Sequence, residues 1–118
     1  KMTYHSATMG DSKPTLRSDG PMTLADFQRF IRDRYHETDA ARGTPATFMW
    51  LIEEVGELAT ALHKRAGEGM NTSGGEDLEG EFADVLAWLC TLANINDIDL
   101  ERAIRHKYFK DGGPKGHK

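Results

Sequence analysis

The sequence predicts an all-α protein, a small bundle of four helices. Three observations support this prediction: apolar residues recur every three or four positions in four separate stretches, cap residues or glycines bound these stretches, and no alternating strand pattern of useful length occurs. With 118 residues and 38% hydrophobic content, the chain forms one domain with a modest core. We therefore expect contacts with partner subunits to bury part of its apolar surface.

The first helix is predicted from about residue 24 to residue 36. Thr23 and Asp26 resemble a capping box, and apolar residues follow them at helical spacing. Residues 1–21 are rich in Ser, Thr, Gly, Pro and Asp, so we expect a disordered arm or a cloning remnant there. The stretch DAARG, which ends at Gly43, is predicted to be a linker.

The other three helices follow in order. Thr44 and Pro45 supply a cap and a first-turn proline for a helix that lasts until residue 67. A glycine-rich loop separates it from a third helix, predicted over about residues 76–93. Asp99 is placed as the N-cap of a short fourth helix. The domain is thus predicted over residues 22–110, with a flexible tail at 111–118.

Composition excludes several classes of function. The net charge is −4 and no Lys/Arg run is dense, so a nucleic-acid partner is not expected. The single Cys90 cannot form an intramolecular disulfide or a cysteine metal site. No apolar stretch approaches the length of a membrane span, and the N-terminal residues lack the apolar core of a secretory signal. We expect a soluble, cytoplasmic protein.

Carboxylates interrupt the apolar stretch WLIEEVGEL at residues 50–58. At 100° per residue, Glu54 and Glu57 lie roughly 100° and 160° to one side of the helix's apolar arc. Glu81 and Asp84 lie on the matching side of the third helix. The arcs themselves consist of Phe48, Leu51, Ile52, Val55, Leu58, Ala59 and Leu62 on the second helix and of Phe82, Val85, Leu89 and Ala93 on the third.

Two antiparallel helices that pack through such arcs bring matching flanks to one face. The four carboxylates are therefore predicted to converge, and their mutual repulsion favours a bound cation. Hard oxygen ligands favour Mg²⁺ or Mn²⁺. The alternative is that the acids only solvate a surface, and periodicity alone leaves both interpretations open. A ferritin-like di-iron site is disfavoured because neither pair contains the Glu-x-x-His pattern.

The same flank carries aromatic and basic residues. Trp50 and Trp88 both lie toward one end of the acids, where they are predicted to form a slot for a flat base. Their alternative role is ordinary packing against the first helix or a second subunit. Lys64 lies toward the other end, although a lysine near a helix C-terminus is also favoured by the helix dipole alone.

The run EEVGEL, followed after a loop by EFADVLAWLCTLANINDIDLERAIRHKY, resembles the MazG-type nucleotide pyrophosphohydrolases of the all-α NTP pyrophosphatase superfamily. The resemblance covers about residues 23–110, and its ExxE and ExxD signature falls on Glu54, Glu57, Glu81 and Asp84. It implies an oligomeric four-helix MazG-like bundle in which these acids hold Mg²⁺, with Mn²⁺ as the alternative ion. It also implies a homodimer or homotetramer.

The activity that the resemblance implies is Mg²⁺-dependent hydrolysis of a nucleoside triphosphate to a monophosphate and pyrophosphate, as in the removal of abnormal or surplus nucleotides. Glu53 is then a candidate general base or a support for the ligands, its alternative role being surface charge. Lys107 is a candidate phosphate contact, its alternative being a solvated basic face. Two other functions stay open: a relative specific for dUTP, dCTP or a phosphoribosyl nucleotide, and a non-catalytic helical oligomer for interaction or nucleotide sensing.

Overall fold

The computed structural model describes residues 16–68 and 75–110, and this part of the chain is helical without strands. The helices are α1 (Leu24–Arg42), α2 (Thr44–Glu68), α3 (Gly75–Ile95) and α4 (Leu100–Ile104), and a π-helical turn (Arg105–Phe109) follows α4. For the residues that the structure describes, the prediction of an all-α fold with four α-helices is confirmed. Residues 16–23 are non-helical, whereas the rest of the predicted arm and the predicted tail at 111–118 lie outside the described residues.

Helix α1 begins as predicted and ends later. The Thr23 hydroxyl accepts a hydrogen bond from the Asp26 amide, and the Asp26 carboxylate accepts one from the Thr23 amide, both at 3.0 Å. The predicted end near residue 36 is wrong because the linker residues continue the helix, with Asp39 buried on the same face as Ile31. Gly43, whose φ of 83° suits glycine, ends the helix.

Helices α2 and α3 form an antiparallel pair with a defined register. Asn96 Nδ2 donates to Thr44 Oγ1 at 3.2 Å, and further along the pair the rings of Trp50 and Trp88 stack. As α2 runs forward from Thr44 to Trp50, the residues that contact it run back from Asn96, just after α3, to Trp88. This register brings the turns that carry the two acidic motifs to the same level of the bundle.

Helix α1 packs along α3, and a glutamine fixes its position. Gln28 Nε2 donates to Asn94 Oδ1 at 2.9 Å and to the Ile98 carbonyl at 2.7 Å, while its Oε1 accepts from the Leu100 amide at 2.9 Å. One buried side chain thereby ties α1 to the end of α3 and to the start of α4. The predicted cap of α4 is present, since Asp99 Oδ1 accepts from the Arg102 amide at 3.0 Å.

The predicted packing face of α2 is wrong in part. The buried face contains Thr47, Leu51 and Glu54, whereas Ile52 is 52% exposed. Relative to the apolar arc, the buried face is rotated roughly 70° toward the acids. One edge of each arc is consequently exposed on the surface of the single chain. We call this edge, together with the neighbouring Leu86, the apolar stripe; it comprises Phe48, Ile52, Val55 and Leu62 on α2 and Phe82, Leu86 and Leu89 on α3.

Candidate metal and nucleotide site

Three carboxylates from two helices meet between α2 and α3. Glu54 and Glu57 of α2 and Glu81 of α3 each offer one oxygen, and these oxygens all lie within 4.8 Å of one another. Glu54 is only 2% exposed, and the other two are half-buried. The three residues are called the acidic group below. The i, i+3 spacing places the two glutamates of α2 one turn apart on one side, and the register of the pair supplies the third.

Two predicted catalytic acids lie outside the acidic group. Asp84 is half-buried on α3, one turn after Glu81 and level with Glu54, but the mutual distance of 4.8 Å does not extend to its oxygens. Glu53 is exposed, because one residue along a helix turns a side chain about 100° away from its neighbour. The roles of Asp84 as a ligand and of Glu53 as a base stay predictions.

The acidic group fits a divalent cation with oxygen ligands. Ionised carboxylates this close repel one another, and burial of Glu54 removes the water that would screen the repulsion. Oxygens that bind one Mg²⁺ at about 2.1 Å lie no more than about 4.2 Å apart. A spacing of at most 4.8 Å therefore requires side-chain movements of less than about 1 Å for the group to share one ion.

The two tryptophans contact each other beside the acidic group. Their ring centroids lie 5.9 Å apart with an angle of 11° between the planes. A base inserted between two rings needs about 7 Å between their planes, twice the contact distance of carbon atoms. The predicted slot between Trp50 and Trp88 is therefore closed. Trp88 is buried, but Trp50 is 43% exposed one turn before Glu54, so its open surface can still contact a flat ligand.

The two lysines predicted to contact substrate have different positions. Lys64 is exposed on α2, two turns beyond Glu57. Lys107 is also exposed, but it lies in the π-helical turn with its Nζ 6.0 Å from the centroid of the Tyr108 ring. This turn contacts α4, which packs against α1. The role of Lys107 as a phosphate contact stays a prediction.

Sequence reasoning missed a buried polar cluster at the junction of α1 and α2. Arg42 Nη1 donates to Asp39 Oδ1 at 3.1 Å and to Thr47 Oγ1 at 3.3 Å, and its guanidinium carbon lies 4.9 Å from the centroid of a Trp88 ring. Burial raises the pKa of Asp39, while the hydrogen bond and charge of Arg42 oppose this rise. The helical spacing of Gln28, Asp39 and Arg42 could have indicated one inward face.

Comparison with known proteins gives consistent matches. The model of the MazG nucleotide pyrophosphohydrolase domain matches residues 43–110, which include the acidic group, Asp84 and both tryptophans. An uncharacterized protein of Bacillus subtilis (strain 168), YpjD, is 43% identical over 93 residues, which cover 73% of this chain and 83% of that protein. In the described ranges, no helix combines the length and apolar character needed to cross a membrane.

Proposed function

The chain belongs to the MazG nucleotide pyrophosphohydrolase family, and we propose that it hydrolyses nucleoside triphosphates to monophosphates and pyrophosphate in a Mg²⁺-dependent reaction. The observation that carries this proposal is the acidic group: three carboxylates from two helices within 4.8 Å, one of them almost completely buried. A solvated acidic surface does not account for Glu54, whose side chain is only 2% exposed between the two helices.

Glu54, Glu57 and Glu81 would hold the ion, with Asp84 as the predicted fourth ligand. When bound, Mg²⁺ neutralises phosphate charge and lowers the pKa of water. The overall reaction adds the oxygen of water to a phosphorus of the α–β bridge, breaks the bridging P–O bond and releases pyrophosphate. Such transfer depends mainly on positioning and on charge stabilisation, so the chain needs no covalent nucleophile. Glu53, exposed beside the group, is our candidate to accept the proton from water.

The exposed surface of Trp50 supports the assignment of the substrate as a nucleotide. Bases of every kind have a flat face, and stacking on an aromatic side chain contributes about 1–3 kcal/mol per base. Trp50 lies one helical turn from Glu54, so a base that stacks there keeps its phosphates near the acidic group. Lys64, on the far side of Glu57, is a candidate contact for the terminal phosphates.

The test is a panel of nucleoside and deoxynucleoside triphosphates, assayed for pyrophosphate release with Mg²⁺, with Mn²⁺ and with EDTA. We expect metal-dependent turnover that Glu54→Gln and Asp84→Asn abolish. Glu79→Gln is the matched control, because Glu79 is an exposed glutamate of α3 outside the acidic group. Undiminished turnover in the Glu54→Gln variant would contradict the proposal. Turnover confined to dUTP, dCTP or a phosphoribosyl nucleotide would instead support a specialised relative.

We also propose that the protein is a homodimer formed through the apolar stripe. The stripe presents seven large apolar side chains on two adjacent helices, each 39% to 55% exposed. Covering them would bury on the order of 600 Å² per chain, close to the ~800 Å² that each partner buries in a standard interface. A second copy fits because a stripe on an antiparallel helix pair can meet its own equivalent in a four-helix arrangement.

The oligomeric state tests this second proposal. Ile52→Lys and Phe82→Lys each place a charge in the stripe, and we expect both to shift the molar mass measured by light scattering from dimer to monomer. Thr60→Lys, an exposed substitution on α2 away from the stripe, is expected to remain dimeric. A wild-type chain that is monomeric at all concentrations would refute the interface, as would a dimer that both stripe variants leave intact.

A further inference from the structure

The proposed function makes no use of the polar cluster behind Trp88. Asp39 is 1% exposed, and Thr47 is completely buried at the level of the bundle next to the tryptophans. Between them lies Arg42, whose side chain is 20% exposed. Burying a carboxylate and most of a guanidinium is costly unless their geometry is fixed by partners. The cluster therefore holds Arg42 in one place.

The position of Arg42 is defined by three contacts. Its Nη1 donates to Asp39 Oδ1 at 3.1 Å and to Thr47 Oγ1 at 3.3 Å, so the planar guanidinium is anchored at one edge. Its guanidinium carbon lies 4.9 Å from the centroid of a Trp88 ring, within the range of a cation–π interaction. Arginine suits this arrangement better than lysine because it combines a flat charged surface with several donors.

The contact continues from Trp88 to the exposed ring of Trp50. The two indoles are stacked and nearly parallel, with 11° between their planes and 5.9 Å between their centroids. Trp88 is 3% exposed and cannot itself meet a ligand, whereas Trp50 can. An exposed tryptophan without support would sample several rotamers, and the entropic cost of ordering its side chain would weaken the binding of a stacked ligand.

We propose that Arg42 is a positioning residue for nucleobase binding: anchored by Asp39 and Thr47, it fixes Trp88, which in turn holds Trp50 flat as the stacking platform beside the acidic group. This inference rests on the nucleotide activity proposed above, and it adds the residue that orders the base platform. Since stacking is tolerant of base identity, the ordered Trp50 ring raises the affinity of the protein for purine and pyrimidine nucleotides alike.

The test uses Arg42→Lys, which keeps the charge beside Asp39 but lacks the flat surface. Trp50 and Trp88 are the two tryptophans of the chain, so exciton coupling in circular dichroism and tryptophan fluorescence report on this stack alone. We expect a weaker exciton couplet and a KM for triphosphates raised about tenfold, which corresponds to about 1.4 kcal/mol. The kcat is expected to change less than about twofold, because the acidic group is unaltered.

Arg34→Lys is the matched control. Arg34 makes a similar contact, 4.4 Å from the centroid of the Phe30 ring, on the same helix, so its substitution should alter neither the couplet nor the KM. If Arg42→Lys fails to fold, Thr47→Val removes one anchor of Arg42 and should raise the KM in the same direction. An unchanged couplet, or a changed couplet with an unchanged KM, would overturn the inference.

Direct binding separates this inference from the proposed activity. A non-hydrolysable triphosphate should quench tryptophan fluorescence in the wild type, and Arg42→Lys should weaken the apparent affinity by about the same tenfold. Quenching that depends on Arg42 in a chain that releases no pyrophosphate would support the platform and reject the hydrolase. Pyrophosphate release with no quenching, or quenching of equal affinity in both variants, would reject the platform and leave the hydrolase standing.

Discussion

The acidic group leads to a prediction in which one substitution has opposite effects with and without metal. Glu54→Gln keeps the shape of the side chain and removes one charge. Without divalent ions, we expect the variant to be more stable than the wild type, because Glu54 lies within 4.8 Å of two other carboxylates. At saturating Mg²⁺ we expect the reverse order, since the variant has lost a ligand.

The magnitude follows from the distances. At 4.8 Å, the largest of the distances, two unit charges in a medium of effective dielectric ~20 repel by about 3.5 kcal/mol, so two such pairs give Glu54 about 7 kcal/mol of repulsion when all three are ionised. Solvent around the half-buried Glu57 and Glu81 screens the repulsion and reduces this figure. A net gain of about 1–3 kcal/mol on substitution is expected, which for a domain of this size raises Tm by roughly 5–15 °C.

Metal binding has the opposite effect on the comparison, because it stabilises the wild type more than the variant. An ion present at about 100 times its dissociation constant stabilises the folded state by about 2.7 kcal/mol, or roughly 10–20 °C in Tm for a domain of this size. The wild type should show this increase and Glu54→Gln should show little of it. Differential scanning calorimetry at neutral pH, with EDTA and with MgCl₂, measures both effects. Glu79→Gln, exposed on α3, should behave as the wild type in both buffers.

Two results would refute this reasoning. A Glu54→Gln variant that is less stable than the wild type in EDTA would mean that a cation is not needed to offset repulsion at Glu54. An equal increase in Tm with MgCl₂ for both proteins would mean that the ion binds elsewhere.

Three further predictions concern the fold. Gly43→Ala should lower the free energy of unfolding by about 1–3 kcal/mol in a denaturant titration, because φ 83° and ψ 171° are strained for any side chain although no atom would clash; an unchanged midpoint would contradict this. Gln28→Leu should cost about 2–4 kcal/mol in the same assay, since it removes three hydrogen bonds and leaves the buried Asn94 Oδ1 without the donor Gln28 Nε2; a loss below about 1 kcal/mol would count against the network. Burial raises the pKa of Cys90 from 9.0 to about 11, so the stabilisation by the buried, protonated thiol is fully present below pH 9 and is lost as the pH rises toward 11. Alkylation of the native thiol at pH 8 should be at least about 100-fold slower than in denaturant, and comparable rates would refute the burial of Cys90.

Local signals predicted the elements of the fold because each helix carries its own boundaries. The capping box at Thr23, the break at Gly43 and the cap at Asp99 are local features that depend on residues about three positions apart in the chain, so the sequence alone locates them. The end of α1 was placed too early since Asp39 and Arg42 look like linker residues. Their burial becomes apparent only when α3 supplies Trp88 as a partner.

The sequence by itself determined that two helices carry acids one turn apart and at equivalent positions, because helical periodicity fixes the direction of each side chain relative to its neighbours. Only the tertiary structure decided the rotation of each helix about its own axis, and hence which face it buries. Hydrophobic periodicity favoured packing through the apolar arcs, but the chain rotates α2 so that Glu54 lies inside and Ile52 outside. Two demands compete for one helix pair: the acids must converge, and the apolar surface must be covered. Burying the acidic side within one chain while leaving the stripe exposed satisfies the first demand, and a second copy would satisfy the other.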